Sequence, residues 1–135
     1  MTVDQATRRE VWVDTLGEPI SHFTHGVRFG DFLFISGCGP NNAQEELIGG
    51  DDASAQAHQV LTNIGEILNA EGMEFADILK VTVYLTDIND RAKINPVRQR
   101  FFGKSRPAST LVEVSKLAIP GMRVEIEAIA ARTTS

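Results

Sequence analysis

Apolar and polar residues alternate along this chain with two different periods. Between Asp51 and Gly72 the apolar side chains recur at intervals of three and four residues, namely Ala57, Val60, Leu61, Ile64, Ile67 and Leu68. This spacing places them on one face of a helix. Asp51 and Asp52 precede the apolar run, where the helix dipole favours acidic groups, and Gly72 can end the helix. The pattern therefore predicts an amphipathic helix over Asp51–Gly72.

A period of two residues indicates strands elsewhere. The segment HGVRFGDFLFISG (His25–Gly37) places a Gly-Asp pair between two apolar stretches, which is typical of a hairpin. Asp77–Asp87 alternates strictly, and so do the segments TLVEV and RVEIEAIA near the end of the chain. Each of these segments is expected to form a strand.

A second, shorter helix is indicated by Ile94, Val97 and Phe101, with Gly103 at its end. Proline is tolerated in the first turn of a helix, so Pro96 is expected there, with Asn95 near the cap.

The predicted order is β-β-α-β-α-β-β, which favours a single domain of the α+β class, with one sheet and two helices on one face. We assign residues 20–135 to this domain and residues 1–19 to an N-terminal arm. Within the arm, the segment VWV (residues 11–13) is either a short edge strand or a tether. The face without helices is expected to carry Thr82, Tyr84, Thr86, Leu111, Glu113, Glu125, Glu127 and Ile129. Such a mixed face is either solvated or covered by another subunit.

Charge and composition exclude several classes of partner. The net charge of −5 disfavours binding to nucleic acid. No apolar segment is long enough to cross a bilayer, and the start of the chain lacks the apolar core of a secretion signal, so a cytoplasmic protein is expected. Cys38 is the single cysteine, and His22, His25 and His58 lack ligand spacing. We therefore expect no bound metal and no cofactor.

Several segments together resemble the Rid family, also called YjgF/YER057c/UK114. These are GDFLFISG (Gly30–Gly37), KVTVYLTDINDRAKIN (Lys80–Asn95), RPASTLVEV (Arg106–Val114) and VEIEAIA (Val124–Ala130). The best-known members of the family hydrolyse reactive imine and enamine intermediates. The resemblance implies a chorismate-mutase-like α+β fold with a mixed sheet, assembled as a homotrimer with small-molecule pockets between subunits.

Three positions depart from the pattern of the deaminating members. Ser109 stands where the family arginine grips the substrate carboxylate, Phe23 replaces a pocket tyrosine, and Cys38 replaces a glutamine. A guanidinium offers a carboxylate two charge-assisted hydrogen bonds, whereas a serine hydroxyl offers one neutral bond. A substrate other than a standard 2-imino acid is therefore expected.

The remaining candidate pocket residues are Ser36, Asn89, Thr110 and Glu125, and Leu111 is expected to line the same cavity. Of these, Glu125 matches the family glutamate. The resemblance assigns to Glu125 the role of orienting or activating water, since hydrolysis of a C=N bond needs a proton acceptor and then a donor. Alternatively, Glu125 pairs with a cation at a subunit interface.

Two arginines could replace the missing one. Arg123 lies two residues before Glu125, so alternation places both side chains on one face of the strand. Arg106 precedes the strand of Ser109 and needs a different path to the pocket. Both are also compatible with a surface role.

Cys38 is either a nucleophile activated by His25 or His22, or a small packing residue.

Two functions remain open at this point. The first is a hydrolase or deaminase acting on a small imine, an enamine or a related catabolic intermediate. The alternative is a non-enzymatic trimeric protein that binds a small metabolite. Ribonuclease activity, attached to some family members by name, is disfavoured by the negative net charge.

Overall fold

The fold is described for residues 7–132 of the chain, in a computed structural model. One six-stranded sheet has the order β1-β2-β3-β6-β4-β5, in which β4 and β5 run parallel and all other neighbours run antiparallel. The strands are β1 Arg8–Val11, β2 Gly26–Phe29, β3 Phe32–Cys38, β4 Ile78–Leu85, β5 Ala108–Glu113 and β6 Val124–Ala131. The helices are α1 Ala53–Ala70 and α2 Arg91–Phe102. The predicted α+β class with a mixed sheet is confirmed.

The order of the predicted elements is confirmed from β2 onwards. The hairpin between β2 and β3 turns at Gly30 and Asp31, and Gly30 has a φ of 62°, which glycine adopts without steric cost. An additional strand, β1, pairs with β2 at the edge of the sheet and lies within the segment assigned to the N-terminal arm.

Helix α1 packs its apolar face on β3 and β6, and α2 packs beside α1. Asp52 caps α1, because its carboxylate accepts hydrogen bonds from the amides of Ser54 and Ala55. Gln56 is fully buried, and its amide nitrogen donates to the carbonyls of Gly50 and Gly121. The glutamine therefore ties α1 to the loop that leads into β6.

The predicted start of the second helix is wrong. Helix α2 begins at Arg91, so Pro96 is its sixth residue and Asn95 lies inside it. A proline at this position leaves the carbonyl of Ala92, four residues earlier, without its helical partner. Ala92 is exposed, so water can satisfy that carbonyl and the helix continues.

The face of the sheet without helices, called the open face below, differs from the prediction at β5. Thr82 pairs with Thr110, and Tyr84 with Val112, so Thr110 and Val112 lie on the open face. Leu111 instead packs against the core beneath the helices. The prediction that Leu111 and Glu113 share the open face with Tyr84 is therefore wrong, because the register of an edge strand is set by its neighbour.

Candidate active site

Glu125 lies on β6 with its side chain on the open face of the sheet. It is half-buried and faces Tyr84 of β4 across the strand pair. The space for its carboxyl group exists because residue 37 is glycine: a Cβ there would lie 2.9 Å from Oε2 of Glu125. Backbone of β3 thus forms one wall of the site, and the carboxyl group rests directly against it.

Burial raises the pKa of Glu125, and the nearby charge of Glu127 raises it further. No salt bridge joins Glu125 to an arginine, lysine or histidine among residues 7–132. A raised pKa makes this carboxyl group a better proton acceptor than an exposed glutamate, and once protonated it can donate that proton again.

The pocket around this carboxyl group, called the Glu125 pocket below, is walled by Phe23, Ser36 and Cys38 on one side. Part of it is a cavity of about 120 Å³, bordered by the loops that carry Leu16 and Met122. The other part is an open groove with Tyr84, Lys116 and Glu127 along its length. The sequence-predicted residues Phe23, Ser36, Cys38 and Glu125 are therefore brought together.

The hydroxyl of Ser36 and the thiol of Cys38, the polar groups of this wall, already donate hydrogen bonds to backbone carbonyls. The hydroxyl of Ser36 donates to the carbonyl of Thr24, so its oxygen can still accept a hydrogen bond from a ligand. The thiol of Cys38 lies 3.5 Å from the carbonyl oxygen of Ser36 and donates to it.

Cys38 is not an activated nucleophile in this environment. Burial raises its pKa to about 12, and the charge of Glu125 contributes to the increase. His25 cannot act as its base, since Nδ1 accepts from the amide of Val13 and Nε2 lies 2.9 Å from the carbonyl oxygen of Gly17. Cys38 belongs to the buried core, which supports the interpretation as a packing residue.

The remaining predicted site residues lie elsewhere on the chain. Thr110 is on the open face, where its hydroxyl accepts a hydrogen bond of 2.8 Å from Nζ of Lys80. Leu111 and Asn89 share a groove on the helix side of β5, and Ser109 lies in a neighbouring cleft. Neither part of the Glu125 pocket includes Asn89, Ser109 or Leu111.

Arg123, one candidate to replace the family arginine, is held by carboxylates. Its guanidinium lies 2.9 Å from the buried Asp90 and 2.8 Å from Asp51. These carboxylates raise its pKa, the bond to Asp90 contributing most. Arg123 therefore has partners within its own chain, and it lines neither part of the Glu125 pocket.

Arg106, the other candidate, lines the same cleft as Ser109.

Three further residues lie at these sites and are not among the residues predicted from sequence. Tyr84 and Lys116 line the groove beside Glu125, and Arg98 lies against Ser109. Alternation along β4 places Tyr84 beside Glu125, whereas no sequence pattern indicates Lys116 or Arg98.

Among the described residues no group of three or more His, Cys, Asp or Glu side chains could hold a metal ion. The same part of the chain contains no helix long and apolar enough to cross a membrane.

The fold and the pocket define a class: an α+β domain whose sheet presents a half-buried carboxyl group in a small-molecule pocket. Residues 15–132 match the family described as Endoribonuclease L-PSP. The chain therefore belongs to this family, which is the Rid family that its motifs resemble.

Individual relatives show how close the similarity is. A RutC family protein of Pyrococcus horikoshii is 42% identical over 120 residues, covering 89% of this chain and 94% of the relative. A 2-iminobutanoate/2-iminopropanoate deaminase of Bos taurus is 43% identical over 112 residues, covering 82% of this chain and 80% of the relative. The crystal structure of E. coli TdcF with bound serine is 34% identical, covers 93% of this chain and 99% of that one, and has a TM-score of 0.85.

Proposed function

We propose that this protein hydrolyses a small reactive imine, an enamine or a related catabolic intermediate, with Glu125 as the general acid and base. The observation that carries the proposal is the half-buried carboxyl group of Glu125, which has a raised pKa and forms no salt bridge within residues 7–132. Similarity to 2-iminobutanoate/2-iminopropanoate deaminases supports the same class of reaction.

In the proposed reaction the carboxylate of Glu125 takes a proton from a water molecule as the water oxygen bonds to the imine carbon. Glu125 then returns the proton to the nitrogen, which gives a carbinolamine. In a second transfer Glu125 takes the proton of the carbinolamine hydroxyl and passes it to the nitrogen, so that the C–N bond breaks as the C=O bond forms, and ammonia and a carbonyl compound are released. The wall formed by Phe23 and Cys38 limits the water that reaches the intermediate.

We further propose that the active site lies between subunits of a homotrimer. Within one chain, Glu125 lies on the open face, whereas Ser109, Leu111 and Asn89 lie on the opposite side of the sheet. A pocket that unites both groups needs a second copy of the chain. Three phenylalanines on or beside the open face, Phe29, Phe32 and Phe34, expose 47%, 44% and 45% of their surface, which favours a covered face.

The trimer is tested by light scattering during size-exclusion chromatography. The wild-type protein is expected to elute with three times the mass of one chain, and Phe34→Glu to lower this mass. Phe34 is exposed in the single chain, so the variant is expected to keep its fold by circular dichroism. A monomeric wild-type protein would contradict the proposal.

The reaction is tested by generating 2-iminopropanoate and 2-iminobutanoate in situ with an amino acid oxidase or a dehydratase, and trapping surviving imine with semicarbazide. A bulkier enamine is added to the panel, because Ser109 lacks the guanidinium that a 2-imino acid deaminase uses. Wild-type protein is expected to lower the trapped amount of at least one substrate, and Glu125→Gln to leave it at the uncatalysed level. If the wild type and Glu125→Gln leave equal amounts of trapped imine for every substrate of the panel, the hydrolase proposal is overturned.

A second candidate function is supported by Ser109 and Phe23, which lack the guanidinium and the hydroxyl of deaminating members. It is a trimeric protein that binds a small metabolite without turnover. Ligand binding that is retained in Glu125→Gln, together with no turnover by the wild type, would favour this alternative.

A further inference from the structure

One wall of the Glu125 pocket is formed by the loop between β1 and β2. We call residues 13–20 of this loop the cover segment. Five of them line the cavity beside Glu125, namely Leu16, Gly17, Glu18, Pro19 and Ile20. Val13 is buried and Leu16 packs against the core, whereas Glu18 and Ile20 are exposed. The cover segment is therefore anchored at its start, and its more exposed part borders the cavity.

A single side chain, His25 at the end of the same loop, holds the cover segment through two backbone groups. Its Nδ1 accepts a hydrogen bond of 2.9 Å from the amide of Val13. Because Nδ1 is the acceptor, the proton of the neutral imidazole is on Nε2, which lies 2.9 Å from the carbonyl oxygen of Gly17 and donates to it. Within residues 7–132 this is the one hydrogen bond formed by residues 17–20. Loss of the imidazole bonds would therefore free this part of the wall.

Gly17 also makes a close contact across the rim of the cavity. A Cβ at this residue would lie 2.8 Å from Cγ of Glu45 and 3.1 Å from the carbonyl oxygen of Ala43, both in the loop after β3. The backbone of the cover segment thus approaches that loop as closely as a glycine permits. The bond from His25 to Gly17 helps to hold the two loops together.

This arrangement requires a neutral imidazole. Protonation places an N–H on Nδ1, so that this nitrogen can no longer accept from Val13 and two donors face each other. A buried amide that loses its acceptor costs free energy, and Val13 is buried. Histidine is the side chain whose charge changes between about pH 5 and 8. The hold on the cover segment is therefore sensitive to mild acidification.

The titratable groups around His25 come from several elements of the fold. They are Asp14 and Glu18 of the cover segment, Cys38 of β3, Glu45 of the loop after β3 and Glu125 of β6. Trp12 lies edge-on to the imidazole, and Glu10 of β1 accepts a hydrogen bond from its indole nitrogen. No arginine or lysine is among the described residues that line this cavity. No salt bridge joins His25 to a carboxylate within residues 7–132, so no ion pair in this part of the chain holds the imidazole in its charged form.

We propose that His25 is a positioning residue: its neutral imidazole holds the cover segment against the Glu125 pocket, and protonation of the ring releases it. The inference rests on the proposed function and deepens it, because it adds a control of access to the same site. While the segment is held, the cavity keeps its wall and limits the water around Glu125. When the segment is released, the substrate loses the apolar surface of Leu16 and Ile20.

The first measurements do not depend on turnover. Trp12 is the single tryptophan of the chain, and its ring centroid lies 5.9 Å from that of His25. Its fluorescence, which a neighbouring imidazolium quenches, follows the charge of the ring. Hydrogen exchange of the Val13 amide, expressed as a protection factor at each pH, reports on the bond to Nδ1. Both are measured on the full-length protein between about pH 5 and 8.

Four proteins are compared: wild type, His25→Gln, His25→Phe and His58→Gln. A glutamine amide offers one acceptor and one donor and does not titrate, so His25→Gln can keep both bonds at every pH. Phenylalanine keeps a ring beside Trp12 and forms neither bond. His58 is exposed on α1 and lines neither part of the Glu125 pocket, so His58→Gln controls for the loss of a histidine.

On acidification the Trp12 emission of the wild type is expected to fall in one step. Protection of the Val13 amide is expected to fall roughly 10-fold with the same midpoint, the factor for a buried donor that loses its acceptor. His58→Gln is expected to behave like the wild type. His25→Gln is expected to keep constant emission and protection, and His25→Phe to show low Val13 protection at every pH.

Turnover of the imine panel is measured over the same pH range, relative to the uncatalysed rate at each pH. The wild-type kcat/KM is expected to fall with the midpoint of the Trp12 titration, mainly through a higher KM. As the conservative variant, His25→Gln is expected to lack this part of the fall, and His25→Phe to have a high KM throughout. If His25 served stability alone, both variants would lose activity and keep the wild-type pH dependence, which would contradict the inference.

Val13 protection that is independent of pH in the wild type, or that changes equally in His25→Gln, would overturn the inference. Failure of the hydrolase proposal gives a different result. A His25-dependent change in Val13 protection without turnover of any substrate would leave the role of His25 standing and remove the catalytic role of Glu125. Turnover with constant Val13 protection would do the opposite.

Discussion

The carboxyl group of Glu125 rests against the backbone of Gly37, with Oε2 only 2.9 Å from the position that a Cβ at residue 37 would occupy. Glycine at position 37 therefore acts as part of the site, because any side chain there must displace the carboxyl group. Gly37 lies in the irregular stretch of β3 between Ile35 and Cys38, where the register with β6 shifts.

The first prediction follows from that contact. Gly37→Ala is expected to move the carboxyl group of Glu125 and to lower kcat roughly 10- to 100-fold, since a displacement of about 1 Å can cost this much. The melting temperature is expected to change little, because the Glu125 side chain can move aside. In a Glu125→Gln background the alanine should have no further effect on kcat, and an undiminished effect there would contradict the explanation.

The second prediction concerns Glu125→Gln. Loss of the general acid and base is expected to lower kcat roughly 100- to 10,000-fold, while ligand affinity stays within a few-fold of the wild type.

The same variant has a pH signature. The pKa of Glu125 is raised in the folded state, so folding disfavours the ionised form. The carboxyl group's contribution to stability is fully present below its ordinary pKa of 4.5 and is lost as the pH rises through the raised value. Glu125→Gln should therefore be more stable than the wild type at pH 7 and equal to it at about pH 3, as measured by urea unfolding. Equal stability at both pH values would contradict the raised pKa.

The third prediction concerns Arg123, whose guanidinium pairs with the fully buried Asp90. Within the described part of the chain, Arg123→Gln leaves this buried carboxylate with Lys93, 3.4 Å away, as its one cationic partner. We expect the free energy of unfolding to fall by about 3 kcal/mol.

Asp51→Asn is the matched control for this pair, because Asp51 binds the same guanidinium but its side chain is 92% exposed. It is expected to change stability little. If Arg123 instead binds the ligand, Arg123→Gln would weaken binding of 2-oxobutanoate, the hydrolysis product of 2-iminobutanoate, without loss of stability.

The fourth prediction concerns Glu71, which joins the end of α1 to Arg9 of β1 and Arg28 of β2. Hydrogen bonding to Arg9 contributes most to a lowered pKa of Glu71. Its contribution is therefore present above its ordinary pKa of 4.5 and is lost as the pH falls through the lowered value.

Glu71→Gln is accordingly expected to cost about 1 to 2 kcal/mol at pH 7, and less at strongly acidic pH. Urea unfolding at both pH values measures the difference. Glu10→Gln, which removes the exposed pair with Arg8, serves as the control and should change little. A cost for Glu71→Gln that does not depend on pH would contradict the ion pairs as its cause.

Long periodic segments were predictable because their patterns depend on local geometry. The helix over Asp51–Gly72 contains α1, and the alternation of Asp77–Asp87 contains β4. The start of α2 was not predictable from Pro96, since a solvent-exposed carbonyl at Ala92 tolerates a proline inside the helix.

By itself the sequence determined the α+β class through its periodicity and the family through its short motifs, because neighbouring residues carry this information. The resemblance to that family made Glu125 a candidate, and its role stays a prediction. Only the tertiary structure decided which residues meet. Leu111 faces the helices because β5 takes its register from β4. Arg123 forms salt bridges with carboxylates that lie 33 and 72 positions away in the chain. Arg98 of α2 meets Ser109 of β5 through a hydrogen bond of 3.0 Å. Such pairings depend on long-range packing, and no local spacing encodes them.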